Sequence, residues 1–157
     1  MKKRGFTLIE LLAVIVILAI IALIATPMIM DVIDKARKGA AEESAYGYVE
    51  AVENVSIYGM LDGTPVLSGV KTVEQLKETV SVKGEQPKTG WVVIDEKGVV
   101  AAAYLQFNSY SKYVGYTPVS HAKADLAAEL DKDLTAEGAE STAEQYIKLV
   151  KDALGEK

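Results

Sequence analysis

The feature that most constrains this chain is an apolar run near its start. From residue 11 to residue 25 every side chain is Leu, Ile, Val or Ala, and the apolar character continues to Met30 with only Thr26 and Pro27 interrupting. Twenty helical residues rise about 30 Å, the thickness of a bilayer's hydrocarbon core. A buried core helix of this length would normally keep one polar face, and none is visible. A secretory signal has an apolar region of about 7–15 residues followed by a small-x-small cleavage site. Here the run is longer and leads into Thr26-Pro27-Met28-Ile29-Met30. The run therefore reads as a membrane-spanning helix. Lys2, Lys3 and Arg4 on one flank are matched by Lys35, Arg37 and Lys38 on the other, so charge alone does not orient it.

The 157 residues leave room for one soluble domain beyond the anchor. The three leader cations matter to the charge balance: without them the side-chain sum falls from −5 to −8. An acidic domain is a poor candidate for sequence-independent nucleic-acid binding, which needs clustered Lys and Arg, so no direct nucleic-acid partner is expected. The absence of cysteine excludes disulfides, thiolate catalysis and thiolate-bound metals.

Beyond the anchor the pattern stays helical to about Met60. Ala45, Tyr48, Val49, Val52, Val55 and Ile57 approximate one apolar stripe, with Glu42, Glu43, Glu50 and Glu53 pointing elsewhere. Gly39 and Gly47 are soft points, each about 1 kcal/mol weaker than Ala. Asp62-Gly63-Thr64-Pro65 ends the helix. A single helix over residues 6–60 would be about 80 Å long, half in lipid and half packed on a domain. Thr72 is positioned to cap a short helix reaching Thr79. Residues 91–94 form a strand, Asp95-Glu96-Lys97-Gly98 a hairpin turn, and Val99, Ala101, Ala103, Leu105 and Phe107 one face of the returning strand. Asn108-Ser109 turns the chain into a third strand through Tyr116. From Val119 the tail reads as helical, with Ala122, Leu126, Leu130 and Leu134 repeating every four residues. Ser141 and Glu144 have capping-box spacing and open a further helix carrying Ala143, Ile147, Val150 and Leu154, stopped by Gly155. The expected fold class is α+β: a long N-terminal helix against a small antiparallel sheet of about three strands, with extra C-terminal helices.

Residues 2–10 read KKRGFTLIE: a short basic leader ending in Gly5, then Phe6, then Glu10, all opening the long apolar helix. This resembles the class III signal of type IV pilins and their pseudopilin relatives. The resemblance implies that a prepilin peptidase cuts between Gly5 and Phe6 on the cytoplasmic side, that Phe6 becomes the N-methylated first residue, and that Glu10 is the assembly carboxylate. Pro27 matches a helix proline common in the family. The implied organisation is a leader at 1–5, a transmembrane and filament-core helix at 6–30, and a soluble headgroup domain at 31–157. The implied partners are further copies of the chain, the prepilin peptidase, the pilus assembly machinery and the membrane. The implied location is the cytoplasmic membrane as a single-pass protein, then a cell-surface pilus.

The physics of Glu10 supports the same expectation. A carboxylate inside an apolar segment costs on the order of 2.5–3.5 kcal/mol and marks function by default. The alternative is that Glu10 sits among the headgroups and the span starts at Leu11. Cleavage would create an α-amine at Phe6, and pairing it with a neighbour's Glu10 neutralises both, setting register more than adding stability. Pro27 breaks the helical hydrogen-bond ladder, as a simple kink or as a melting point during assembly.

Other features read as ordinary structure. His121 is a surface residue, Asp131, Asp133 and Glu137 are a solvated acidic face lacking the spacing of a calcium loop, and Tyr104, Tyr110, Tyr113 and Tyr116 suit strand packing better than an adhesive surface. No catalytic triad, phosphate loop or metal cluster is visible, so neither enzyme activity nor a cofactor is expected. A structural filament subunit is the leading reading. A minor pilin, a secretion-system pseudopilin or a DNA-uptake pilus subunit are its relatives, and a monomeric single-pass display protein is the reading of another class.

Overall fold

A computed structural model describes residues 5–63, 67–126 and 143–156. Helix α1 spans Leu8–Asp62, and the chain divides into two compact units, Met1–Ala36 and Arg37–Lys157. In the first unit the large apolar side chains of residues 6–33 are exposed, so that segment contributes no core of its own.

The second unit is an α+β domain. Its strands are β1 (Gly69–Thr72), β2 (Thr89–Ile94), β3 (Val100–Gln106), β4 (Tyr113–Tyr116) and β5 (Lys123–Leu126), with the short helix α2 (Val73–Leu76) between β1 and β2, and α3 (Ala143–Leu154) last. The five strands pair in sequence order, every neighbour antiparallel. This confirms the fold class and corrects the strand count from three to five.

The two added strands have physical reasons. The four-residue repeat places residues 122–126 in a helix, and the structure makes Lys123–Leu126 a strand. Lys123, Ala124 and Leu126 pair with Gly115, Val114 and Tyr113 of β4, with Asp125 an inserted bulge residue. Helical spacing of four is also a multiple of the strand period, so the repeat alone does not separate helix from strand. Leu130, Leu134 and Ser141 lie outside the described residues. Strand β1 is short, and Thr72 ends it while capping α2. Thr72 Oγ1 accepts from Gln75 N at 3.4 Å and Gln75 Oε1 from Thr72 N at 3.0 Å, a reciprocal box. Helix α2 stops at Leu76 rather than Thr79, in turns closed by Thr79 N and Val80 N on the Leu76 carbonyl.

The hairpin at 95–98 forms as expected, with Asp95 Oδ1 accepting from Lys97 N and Val99 N, each at 2.8 Å. The returning strand departs from strict alternation. Val93 pairs with Ala102 but Ile94 with Val100, so Ala101 is an inserted bulge residue. The inner face is therefore Val100, Ala103, Leu105 and Phe107, while Val99 is 42% exposed and Ala101 packs on the other side. This corrects the placement of Val99 and Ala101 and keeps that of the other three.

The inner face meets a stripe of α1 made by Ala41, Ala45, Tyr48, Val49, Val52 and Ser56, with Val55 at its margin. Ser56 takes the place expected for Ile57, which is exposed, because 45, 49, 52 and 56 follow the helical period and 57 does not. The acidic residues do not all point away. Glu42 Oε1 accepts from Ala124 N at 3.0 Å and Glu53 Oε1 from Val100 N at 2.9 Å, so the helix also satisfies backbone amides in β5 and at the start of β3.

The outer face is aromatic. Tyr104 stacks on Tyr113 at 4.3 Å and on Trp91 at 5.7 Å, and Tyr146 of α3 meets Trp91 edge-on at 4.5 Å. Val150 adds to this cluster. Helix α3 then ends as expected at Gly155: Gly155 N donates to the Asp152 carbonyl and Glu156 N to that of Lys151, the two bonds of a Schellman cap.

Glu156 fastens the end of the chain to the β4–β5 turn, accepting from the Thr117 hydroxyl. Burial alone would raise this carboxyl, but hydrogen bonds from Ser120 and Thr117 and the charges of Lys151 and Lys123 leave it below its ordinary value. A lowered folded pKa adds stability that is present above the ordinary value of 4.5 and lost as pH falls through the folded value. Glu156→Gln should therefore lower the melting temperature of the micelle-held protein at pH 7, with the difference from the parent protein shrinking towards pH 3.

Gly90 is the tightest backbone position. Its φ is +133°, and an added Cβ would lie 2.1 Å from the Tyr104 carbonyl oxygen in the paired strand. Gly90→Ala should destabilise the domain by about 2 kcal/mol or more, measured as a fall in the circular dichroism melting temperature of the full chain in micelles. An unchanged melt would refute this register.

Candidate functional site

The chain enters α1 through Gly5, Phe6 and Thr7. Thr7 is the cap. Its hydroxyl oxygen accepts from Glu10 N at 3.3 Å, while Glu10 Oε2 accepts from Thr7 N at 2.9 Å and from the Thr7 hydroxyl at 2.7 Å. This is a capping box, in which cap and third helical residue satisfy each other's backbone amides. It also sets a carboxylate in the first turn, where the helix dipole favours negative charge. Sequence reasoning singles out Glu10 and misses Thr7. The signal is present nonetheless, as Thr7-x-x-Glu10 ahead of an apolar run.

The geometry leaves Glu10 half engaged. Both Thr7 donors go to Oε2, and Oε1 has no partner among the described residues. Around it Leu8, Ile9, Leu11 and Leu12 are all exposed. Phe6 is 85% exposed, and nothing lies within 4 Å of where a Cβ on Gly5 would sit. The structure thus places Gly5, Phe6 and Glu10 within one short, accessible stretch. Chemically this arrangement offers an open backbone segment and, one helical turn on, a carboxylate oxygen able to accept from a cation.

Pro27 lies inside α1. Having no N–H, it leaves the Leu23 carbonyl without its helical donor. Just before it the Thr26 hydroxyl donates to the Ala22 carbonyl at 2.6 Å, a back-bond that tends to bend helices. Across the described residues α1 is the helix long and apolar enough to cross a membrane, by length and composition.

The remaining candidates are accounted for by the fold. His121 sits in the turn before β5, at φ 47°, rather than opening a helix, and its ring lies 6.0 Å from Tyr46 and 6.3 Å from Tyr116. Tyr104, Tyr113 and Tyr116 are buried and Tyr110 partly so, in keeping with packing. Among the described residues no group of three or more His, Asp or Glu is disposed to hold a metal ion. Asp131, Asp133 and Glu137 lie outside them.

Residues 1–26 match the family model described as the prokaryotic N-terminal methylation motif. This is the class III prepilin signal of type IV pilins and pseudopilins. It supports a type IV pilin-like or pseudopilin N-terminus, and with the apolar helix it fits a membrane-anchored protein. No curated protein and no solved structure matches the chain.

Thr7→Val keeps the side-chain shape and removes the hydroxyl, which should cost the helix start about 1 kcal/mol. Amide hydrogen exchange in micelles should show faster exchange at residues 8–10 for Thr7→Val and near-parent rates for Thr7→Ser. Equal protection in both variants would mean that the box does not hold the helix start.

Proposed function

We propose that this chain is a structural subunit of a type IV pilus-like filament, matured by a prepilin peptidase and assembled through its N-terminal helix. The observation that carries the reading is the methylation motif opening directly onto an exposed apolar helix whose first turn holds a half-engaged carboxylate. On this reading the leader is 1–5, the scissile bond joins Gly5 to Phe6, and Phe6 becomes the N-methylated terminus. Residues 6–30 cross the cytoplasmic membrane and later form the filament core, and 31–157 is the headgroup domain.

Maturation converts the Phe6 amide into an amine, which needs a counter-charge when it leaves water. The free Oε1 of a neighbouring subunit's Glu10 supplies one. Such a buried pair sets register and direction more than it adds stability. The exposed side chains of the anchor change solvent from lipid to the helices of other subunits, at little hydrophobic cost because both are apolar. The assembly machinery and the cell-surface location follow from the same reading.

The test separates a filament subunit from a plain single-pass anchor. In an anchor, Glu10→Ala removes a group that is costly in lipid and membrane levels hold or rise. In a filament subunit it removes the neighbour's counter-charge. Glu10→Ala should be cleaved after Gly5 and folded normally, yet its ratio of subunit in sheared filaments to subunit in membranes should fall at least about tenfold, the loss of one charge-assisted bond. Mass spectrometry reads both the ratio and the mature N-terminus. Glu10→Gln distinguishes attraction from packing, and Gly5→Val, expected to stay uncut, fixes the baseline. An unchanged ratio for Glu10→Ala would favour the monomeric display protein.

A further inference from the structure

A second polar site lies in the headgroup domain, away from the helix start. Tyr48 is 1% exposed, yet its hydroxyl has no hydrogen-bond partner among the described residues. A buried, unsatisfied hydroxyl costs about 1–3 kcal/mol, and the other buried groups of this helix face are apolar apart from Ser56. Tyr48 lines a cavity of about 390 Å³, a volume within the range of small-ligand sites. The polar groups sharing that cavity are Lys77, Lys88, Gln86, Asn108 and Glu74.

Their chemistry is asymmetric. Glu74 is tied to Lys77 at 3.7 Å, which leaves Lys88 with no ion pair among the described residues. Gln86 and Asn108 each present amide donors. Burial pushes the Tyr48 phenol up to about 12, so at neutral pH it holds its proton and can donate it. The cavity therefore offers one phenol, a free ammonium and two carboxamides against one carboxylate that is already paired. Several donors and an uncompensated cation lining one cavity match a ligand that only accepts and carries one negative charge.

We propose that the cavity over Tyr48 is a carboxylate-binding site, in which the Tyr48 hydroxyl and the Lys88 ammonium hold the carboxylate group. The same chemistry comes from two sources, a small free carboxylate or an acidic side chain of a second copy of this acidic chain. The site does not rest on the filament reading, since it belongs to a single headgroup domain.

The experiment titrates the full chain in detergent micelles with N-acetyl-L-glutamate, using N-acetyl-L-glutamine at matched ionic strength as the uncharged isostere. The expected result is a rise of about 3 °C in melting temperature at a ligand concentration roughly five times its Kd, with no rise for the amide. Tyr48→Phe removes an unpaired hydroxyl and keeps the ring, so without ligand it should melt at the parent temperature or above, while its affinity for N-acetyl-L-glutamate falls about tenfold or more. Lys88→Met should weaken binding similarly. Sedimentation of the same samples separates the sources. Self-association that N-acetyl-L-glutamate dissolves and Tyr48→Phe lacks identifies a second copy, and an unchanged sedimentation profile alongside the thermal shift identifies a free carboxylate. The proposal is overturned if the glutamate derivative gives no shift, if the amide shifts the melt equally, if Tyr48→Phe binds as well as the parent, or if Tyr48→Phe without ligand melts several degrees lower.

Discussion

The contact on which the domain depends is the packing of α1's Ala41–Ala45–Tyr48–Val49–Val52–Ser56 stripe on the inner face of the sheet. Burying a Val, Leu or Phe side chain stabilises by about 1.5–3 kcal/mol, and this face buries Val92, Ile94, Val100, Leu105, Phe107 and Val114 together. No other described helix could replace α1 there, since α2 has one turn and α3 serves the opposite face. Glu42 and Glu53 add direction to the packing. Each reaches from the stripe's margin to a strand amide, one in β5 and one where β3 begins beside the bulge, so the sheet is fixed along the helix as well as against it.

The outer face shows how a cysteine-free chain secures its C-terminal region. A disulfide stabilises chiefly by restricting the unfolded chain. Here that restriction is replaced by contacts in the folded state. Tyr146 seats edge-on against Trp91 at one end of an aromatic row that continues through Tyr104 to Tyr113. The Schellman turn at Gly155 then aims Glu156 back at Thr117. Packing of this kind weakens in acid, where the carboxylate is protonated, in a way that a covalent bridge does not.

The long-range plan is legible in the sequence because its signals are periodic and long. The apolar run of α1, the stripe through Val52, the hairpin at Asp95 and the stop at Gly155 all follow from patterns that local physics enforces. The misreadings occur where two periods coincide or one is broken. A repeat of four suits both helix and strand spacing, and pairing of residues 123–126 with β4 decides for the strand there. Ala101 is a bulge, and a single inserted residue inverts the faces on either side of it. Strand β1 has too few residues to show any period. At the helix start Gly5, Phe6 and Glu10 stand out from a known pattern, and Thr7 does not, although its capping spacing is equally visible. The Tyr48 cavity has no sequence signature, because its members lie on four separate segments that only folding brings together.

Thr7 changes how the Glu10 carboxylate should be understood. A bare carboxylate beside an apolar span is costly in lipid, and a carboxylate fully satisfied within its own subunit has nothing left to offer a neighbour. The capping box lies between these limits. One oxygen settles the helix start, covering the Thr7 amide that α1 cannot satisfy internally, while the other keeps its capacity. On the proposed filament reading, the subunit leaving the membrane need not break its own cap to accept a neighbour's amine. The two interactions use different oxygens of the same group, so neither has to displace the other. A glutamine could preserve much of the cap geometry but would carry only one acceptor oxygen and no charge. The same position can therefore be structurally tolerant of the amide while assembly, if it depends on attraction, is not.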